Sequence, residues 1–544
     1  MRFTGILGIL TILLISFLMS NNKKKIKPRI IIWGLGLQIL FAGIILGKTY
    51  MSLSSMLLFV LLIVLYLSKD IVNNGATRQF QILSAALVII VSTGLSFVLK
   101  FFANSLVIGW FFWLIFIFII VKMILKQPKY QSFISSSLIV VGYGWILENS
   151  ITGSEIFAAL SHKVEKFLSL SILGAEYLFG NLALREYFFT DNSTWPGFGF
   201  QFAFYVLPVI IFFASFMAVL YHMGVMQKII SSMAHFMQWT MGTSGAETLS
   251  CSANIFVGQT EAPLLIKPFV KDMTTSELAT IMVGGFATIA GGVLAGYIAM
   301  GIDAGHLIAA SVMSAPAAIV VAKIIYPETK HSKTAGDVKI PEDIVKTSNV
   351  LDAASAGVTD GLKLAANVGA MLIAFVSLIA LLDVILSYGD KLIDGKLLKG
   401  TFAQYSVISN ISPITGEFSG IFPGSLKTLF ATLLKPLAWL MGVSWRYAGE
   451  VGNLLGMKLT LTEFVAYGSL AELIGKESLN PKAILISTYA LCGFANFASI
   501  GIQIGGISAI APSRRSDLSK VAIKTMIGGA FASWLTACIA GILF

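Results

Sequence analysis

The sequence predicts an all-α polytopic membrane protein built on an internal inverted repeat, with two re-entrant helical hairpins and broken helices. Three observations carry this reading. The chain is far richer in apolar than in charged residues, its apolar runs divide into about 12 segments of spanning length, and two distant stretches repeat the same order of carboxylates and Gly-Phe-Ala.

Of 544 residues, 56% are hydrophobic and 12% charged, against about a quarter charged in soluble domains. The formal charge of +11 sits in short loops between apolar runs, where Lys and Arg set topology; no phosphate-binding face is formed, so nucleic acid is not expected as a partner and the lipid bilayer is. Cys251, Cys492 and Cys538 lie in apolar stretches without CxxC spacing, and the five histidines are scattered, so neither disulfides nor a metal cluster is indicated. The opening "MRFTGILGILTILLISFLMS" has one Arg before its apolar run and "NNKKKIKPR" after it, with no small-x-small cleavage site. It is expected to be a retained helix with its N-terminus outside.

Runs long enough to span fall near 4–20, 30–47, 52–68, 80–102, 105–126, 131–147, 201–228, 275–300, 304–326, 362–387, 480–511 and 516–544. Alternation from an external N-terminus puts Lys69 and Arg78, then Lys122, Lys126 and Lys129, then Arg514, Arg515 and Lys520 inside. With an even number of spans the C-terminus is expected outside as well. Residues 155–180 mix charge and apolar character at helical period and read as interfacial. Residues 238–270 and 445–475 are apolar but interrupted by Gly, Pro and acids, which is tolerated at membrane depth only where protein or a water-filled cavity satisfies the freed backbone groups.

These interrupted stretches belong to the repeat. The first unit runs Glu247, Thr-Glu at Glu261, then Gly-Phe-Ala from Gly285; the second runs Glu450, Thr-Glu at Glu463, then Gly-Phe-Ala from Gly493. The acids are 14 and 13 residues apart, and Thr-Glu leads Gly-Phe-Ala by 24 and 30. By the span count one hairpin enters from the cytoplasm and the other from outside, which is the architecture of inverted-repeat secondary transporters. Glycine suits a helix that must open, because it accepts unusual backbone angles and close approach.

A carboxylate at membrane depth costs about 2.5–3.5 kcal/mol on insertion scales, so it needs a partner. Glu261 and Glu463, with Gln259, Thr260, Asn496 and Ser499, offer donors and acceptors suited to a neutral, hydroxyl-rich solute, and Phe494 offers a ring. The plainer alternative is that these groups only cap hairpin tips. Asn254 and Thr288, beside breaks that free the carbonyls of Val257 and Ile289, are oxygens of the kind a hard cation such as Na+ takes. No HExxH, His-Asp pairing or catalytic-cysteine pattern points to an enzyme, and no pore-lining filter motif to a channel.

The stretches "GTSGAETLSCSANIFVGQTEAPLLIKPF", "MTTSELATIMVGGFATIAGGVLAGYIAMG", "LTEFVAYGSLAELIG" and "ALCGFANFASIGIQIGGISAIAPSRRSDL" resemble the concentrative nucleoside transporter (CNT) family, over residues 1–48 and about 155–544. The resemblance implies a homotrimeric symporter in the inner (plasma) membrane, with a scaffold and a mobile transport domain in each subunit, moving a nucleoside such as uridine with Na+ by an elevator-like mechanism and using no organic cofactor. It places base contacts on Gln259, Thr260, Glu261 and Val293 with Phe494 alongside, ribose contacts on Glu463, Asn496 and Ser499, and Na+ ligands on Asn254, Val257, Thr288 and Ile289. Thr288 stands where some members have Ser, which keeps the hydroxyl; proton coupling is the alternative, since some members use it.

The resulting domain division is 1–48, two scaffold helices; 49–150, an inserted four-helix membrane segment absent from the minimal bacterial pattern; and 151–235, an interfacial helix and a scaffold helix. There follow 236–326, the first repeat of the transport domain; 327–390, a cytoplasmic loop with interfacial and scaffold helices; and 391–544, the second repeat. An insertion between two external points must add an even number of spans, and four fits. Extra scaffold is the expected role of those helices.

Overall fold

The computed structural model describes residues 2–72, 139, 142–188, 197, 199–334, 347–405 and 412–544. The candidate spans at 80–102 and 105–126, and most of 131–147, lie outside the described residues. Among the described residues eight helices are long and apolar enough to cross a membrane, or nine if one bent pair is a single span.

The chain forms two compact units, Ile39–Ala159 and Met1–Gln38 with Leu160–Phe544. In the smaller one, the end of α2 (Pro28–Leu46), α3 (Thr49–Val72) and the start of α4 (Gly153–Leu168) meet. Ser52 Oγ donates to the Ile44 carbonyl at 2.7 Å and accepts the Gly153 N–H at 2.8 Å. A Cβ on Gly153 would stand 2.1 Å from the Ile44 carbonyl oxygen, so only glycine fits that crossing.

In the larger unit the helices follow as α1 (Arg2–Leu18), α5 (Leu170–Phe179), α6 (Phe202–His222), α7 (Val225–Met241), α8 (Gly245–Ala253), α9 (Thr275–Ala287), α10 (Gly291–Ala299) and α11 (Ala304–Ile325). They continue as α12 (Val350–Asp390), α13 (Leu426–Leu440), α14 (Trp445–Thr460), α15 (Glu463–Gly475), α16 (Pro481–Leu491), α17 (Phe497–Ile510) and α18 (Arg515–Leu543). They fall into two classes. The windows on α9–α10, α11 and α18 are 94%, 89% and 83% buried, whereas those on α6 and α12 are 22% and 17% buried despite equal or higher hydropathy. A helix apolar all round is either core or lipid-facing, and burial separates the two. Small residues let the inner helices touch: a Cβ on Gly529 of α18 would stand 2.3 Å from Phe286 Cβ of α9.

The two spans that carry Gly-Phe-Ala are opened as expected. Residues 275–300 and 480–511 are not continuous helices; each is broken, at Thr288–Ala290 and at Cys492–Asn496. Gly493 has φ +129, outside the range of other residues, and a Cβ there would lie 2.6 Å from the Phe286 carbonyl oxygen. The stretch 155–180 is helical with a break at Ser169, and the run 153–187 is by length and composition also able to span.

The stretch after α12, undivided in the sequence reading, carries a π-helical turn at Lys391–Leu397 and an antiparallel pair, β1 (Phe402–Gln404) with β2 (Gly416–Phe418). Three buried aspartates staple it: Asp383, Asp390 and Asp394 accept the N–H groups of Leu426, Phe418 and Phe422, each at 2.8 Å. α13, likewise unforeseen, turns by 115° into α14.

Candidate functional site

The first hairpin starts with a capping box. Ser244 Oγ accepts the Glu247 N–H at 3.4 Å, and Glu247 Oε1 accepts the Ser244 N–H at 2.9 Å. The other oxygen of Glu247 lies 2.6 Å from Lys323 Nζ of α11, with side chains only 2% and 6% exposed. That is the role of Glu247: it anchors α8 to the core. Glu450 in the second unit instead meets Lys427 at 3.2 Å, with both side chains substantially exposed.

After Ala253 the chain turns. α8 has already ended when Pro263 enters, near the start of a 3-10 stretch at Ala262–Ile266. Between lies Asn254–Glu261. Its backbone is tied to the first break by Gly291 N–H to Phe256 O at 3.0 Å, and Ser311 Oγ donates to Ile255 O at 3.1 Å. The second hairpin turns at Leu461–Thr462, so that Glu463 opens α15.

The two breaks cross. Phe494 N–H donates to Thr288 O at 3.3 Å, and Gly493 lies directly on the Phe286–Ala287 backbone. A continuous chain of polar side chains surrounds this crossing. Gln503 Nε2 donates to Met282 O at 3.1 Å and to Gln259 Oε1 at 3.0 Å; Gln259 Nε2 donates to Ser499 Oγ at 3.2 Å. Ser499 N–H donates to Asn496 Oδ1 at 2.8 Å, which caps α17. Asn496 Nδ2 donates to Glu463 Oε2 at 3.1 Å, and Tyr297 OH of α10 to Glu463 Oε1 at 3.1 Å. Hairpin 1, hairpin 2, the second break and the two helices flanking the first break therefore contribute to one hydrogen-bonded line.

Of the sequence-predicted residues, Gln259, Glu463, Asn496 and Ser499 are members of that line. Thr260 packs beside it, with Cγ2 2.7 Å from where a Cβ on Gly506 would stand. Val293 is buried on the first turn of α10 and Phe494 lies in the middle of the second break. Glu261 stands apart: it is exposed, and its Oε2 accepts the Gly258 N–H at 3.0 Å, closing the turn on itself. Three contributors were missed by the sequence reading, Tyr297, Gln503 and Lys323. Gln503 was legible, because it follows Ser499 by four residues and so shares its helix face.

Of the predicted ion ligands, Asn254 and Thr288 share a neighbour in Gly284. Asn254 has no exposed surface, yet neither its Oδ1 nor its Nδ2 has a hydrogen-bond partner. It lies over Gly284, where a Cβ would be 3.4 Å from Nδ2, and the Thr288 hydroxyl donates to the carbonyl of that same glycine at 2.9 Å. Its hydroxyl proton thus occupied, Thr288 has a lone pair to offer. Ile289 is fully buried and Val257 half-buried. Buried polar groups are nearly always satisfied, so an orphaned Asn beside neutral oxygens fits a cation such as Na+.

Sequence models described as "Na+ dependent nucleoside transporter N-terminus", "Nucleoside recognition" and "Na+ dependent nucleoside transporter C-terminus" match residues 7–52, 203–304 and 306–541. The chain belongs to the concentrative nucleoside transporter family. It is 41% identical over 423 residues to an uncharacterised transporter of Haemophilus influenzae, covering 77% of this chain and 92% of that one. With the rat sodium/nucleoside cotransporter 1 it shares 41% identity over 401 residues, which cover 71% of this chain and 56% of the relative. The chain thus spans little more than half the length of this mammalian CNT relative. It is similar to the solved structure of CNTnw in an inward-facing substrate-bound state, with TM-score 0.71 and 30% identity, covering 100% of this chain and 98% of that one. A CNTnw variant in an outward-facing state matches with TM-score 0.70 and 29% identity, covering 100% and 97%. The CNT sequence models leave residues 53–202 unmatched, a region that contains most of the proposed insertion.

Proposed function

We propose that the protein is a secondary active symporter that takes up nucleosides such as uridine together with Na+. The observation that supports this best is the hydrogen-bonded line from Gln503 through Gln259, Ser499 and Asn496 to Glu463, because it joins both halves of an inverted repeat at one polar site in an apolar chain. In this reading Glu463, Asn496 and Ser499 take the ribose hydroxyls. Gln259, Thr260, Glu261 and Val293 face the base, and Phe494 lies alongside. Asn254 and Thr288 with the carbonyls of Val257 and Ile289 hold the ion. A bound ligand would replace the direct Gln259–Ser499 bond with its own donors and acceptors, so that the same polar atoms stay paired.

The domain division given above stands as part of the proposal, as do a homotrimeric assembly, elevator-like movement of the hairpin-bearing segments, residence in the inner membrane with both termini outside, and a scaffold role for residues 49–150. The test is uptake of labelled uridine into proteoliposomes under separate Na+ and H+ gradients, with unlabelled nucleosides and nucleobases as competitors. Saturable uptake driven by inward Na+ is expected; uptake driven by H+ alone would overturn the choice of ion, and none under either gradient the reading as a whole.

A further inference from the structure

Gln503 stands on α17 one turn after Ser499, on the same helix face, and has no exposed surface. Its amide nitrogen makes two bonds, to the Met282 carbonyl of α9 at 3.1 Å and to Gln259 Oε1 of the first hairpin at 3.0 Å. Both side chains lie against Gly285 of the first Gly-Phe-Ala, where a Cβ would stand 2.7 Å from Gln503 Nε2 and 3.0 Å from Gln259 Cβ. The two bonds are not equivalent. A backbone carbonyl only accepts, so Met282 fixes which end of the Gln503 amide faces it. Turned over, that amide would set oxygen against oxygen. It keeps this orientation although its own buried Oε1 has no partner. With the donor end of Gln503 fixed, the atom of Gln259 that meets it must be the oxygen. Gln259 then turns its nitrogen the other way, where it donates to Ser499 Oγ at 3.2 Å. Ser499 does not set this polarity, because a hydroxyl donates or accepts.

We propose, on the reading of Gln259 as a base contact, that Gln503 is a positioning residue for the solute site: it locks the Gln259 amide so that the base meets an N–H donor and never a carbonyl acceptor. The base that fits carries an exocyclic carbonyl oxygen at that place. A base with an amino group there sets two donors against each other, and a buried donor without an acceptor is unfavourable. Without Gln503 the Gln259 amide is free to turn, since Ser499 pairs with either end, and the distinction is lost. The anchor of this selectivity is thus a backbone carbonyl of α9, reached through a side chain that itself touches no solute.

Equilibrium binding of uridine, cytidine and isocytidine is measured in detergent at saturating Na+, with size exclusion and thermal unfolding as controls for folding. Cytidine replaces the 4-carbonyl of uridine by an amino group and isocytidine the 2-carbonyl, so between them every carbonyl of the base is changed. In the native protein one of the two is expected to bind about tenfold more weakly than uridine, the effect of a hydrogen bond exchanged for two opposed donors. Gln503→Met removes the donor at similar volume, and in it that ratio is expected to shrink toward equality. Were Gln503 only a packing residue, the variant would weaken all three nucleosides by one factor and leave the ratio standing, which overturns the proposal. So does a native protein that binds all three alike, a result readable even if Gln503→Met does not fold. Gln259→Met separates the underlying reading from the proposal. If it keeps the native ratio, Gln259 does not touch the base and both fall; if it abolishes the ratio while Gln503→Met keeps it, only the positioning role falls.

Discussion

Glu463 holds two donors at once, the Tyr297 hydroxyl and the Asn496 amide, each at 3.1 Å. Glu463→Gln keeps the shape but sets one amide nitrogen against a donor. Hydrogen bonds to charged groups contribute about 1.5–3 kcal/mol, so uridine uptake should fall by about 10- to 100-fold with little change in unfolding temperature. Normal uptake in proteoliposomes would remove Glu463 from the site. Asn254 makes the opposite case, since it has two buried polar atoms and no bond for either. An unmet buried polar group costs about 1–3 kcal/mol. Asn254→Leu should therefore raise, or at least not lower, thermal stability measured without Na+, while the Na+ concentration for half-maximal uptake rises by about tenfold or more, one lost ligand at about 1.4 kcal/mol. A variant less stable without Na+ would mean that Asn254 serves the fold instead. In neither residue does the sequence alone disclose the partner. Glu463 stood out as an acid in an apolar run, but Tyr297 reads as one more aromatic of a core, and only packing α10 against α15 brings its hydroxyl to the acid.

At the scale of elements, the helix breaks were legible and their consequences were not. A break inside an apolar run shows itself through glycine, and Gly-Phe-Ala at Gly285 and Gly493 marked both places within a few residues. That the breaks lie across one another, with Phe494 N–H on Thr288 O, follows from chain paths that no local pattern encodes. Gly493→Ala tests the crossing. At φ +129 a side chain is strained by about 1–3 kcal/mol, and the added Cβ would press on the Phe286 carbonyl. A fall in unfolding temperature together with loss of uptake is expected; a neutral outcome would show that the crossing tolerates a methyl group. The first hairpin is held differently, by the buried Glu247–Lys323 pair at 2.6 Å. Lys323→Met strands a buried carboxylate and should cost about 3–5 kcal/mol, read from unfolding temperature, whereas adding Glu247→Gln should recover much of that loss. The strand pair at Phe402–Gln404 and Gly416–Phe418 escaped the sequence reading because three residues a side carry too little periodicity to register. Its stability comes from elsewhere in the chain, through Asp390 at the end of α12 and Asp394 in the π-helical turn that follows.

For the whole molecule, the question is what drives net movement. If one Na+ accompanies each neutral nucleoside, a potential of 100 mV supplies about 2.3 kcal/mol per charge, enough for about 50-fold accumulation without any sodium gradient. Proteoliposomes with equal Na+ on both faces and a potassium diffusion potential, inside negative, should accumulate uridine to about that extent. Accumulation unaffected by the potential would mean that no net charge crosses with the solute. The separation into deeply buried α9, α10, α11 and α18 and openly apolar α6 and α12 runs with hydropathy, the less buried pair being the more apolar. One of the lipid-facing helices has a further implication. With 41 residues, α12 is about 60 Å long, twice the hydrocarbon thickness of about 30 Å. It must either cross the bilayer at a steep slant or extend beyond it by several turns. Lipid cannot satisfy the open edges of the small strand pair, so the aspartate-stapled end is expected to stand in water, where a cysteine placed at exposed Leu397 would react with a membrane-impermeant thiol reagent while the three natural cysteines, all buried, stay silent. That gives a fixed outside or inside reference against which the sidedness of each hairpin can be read.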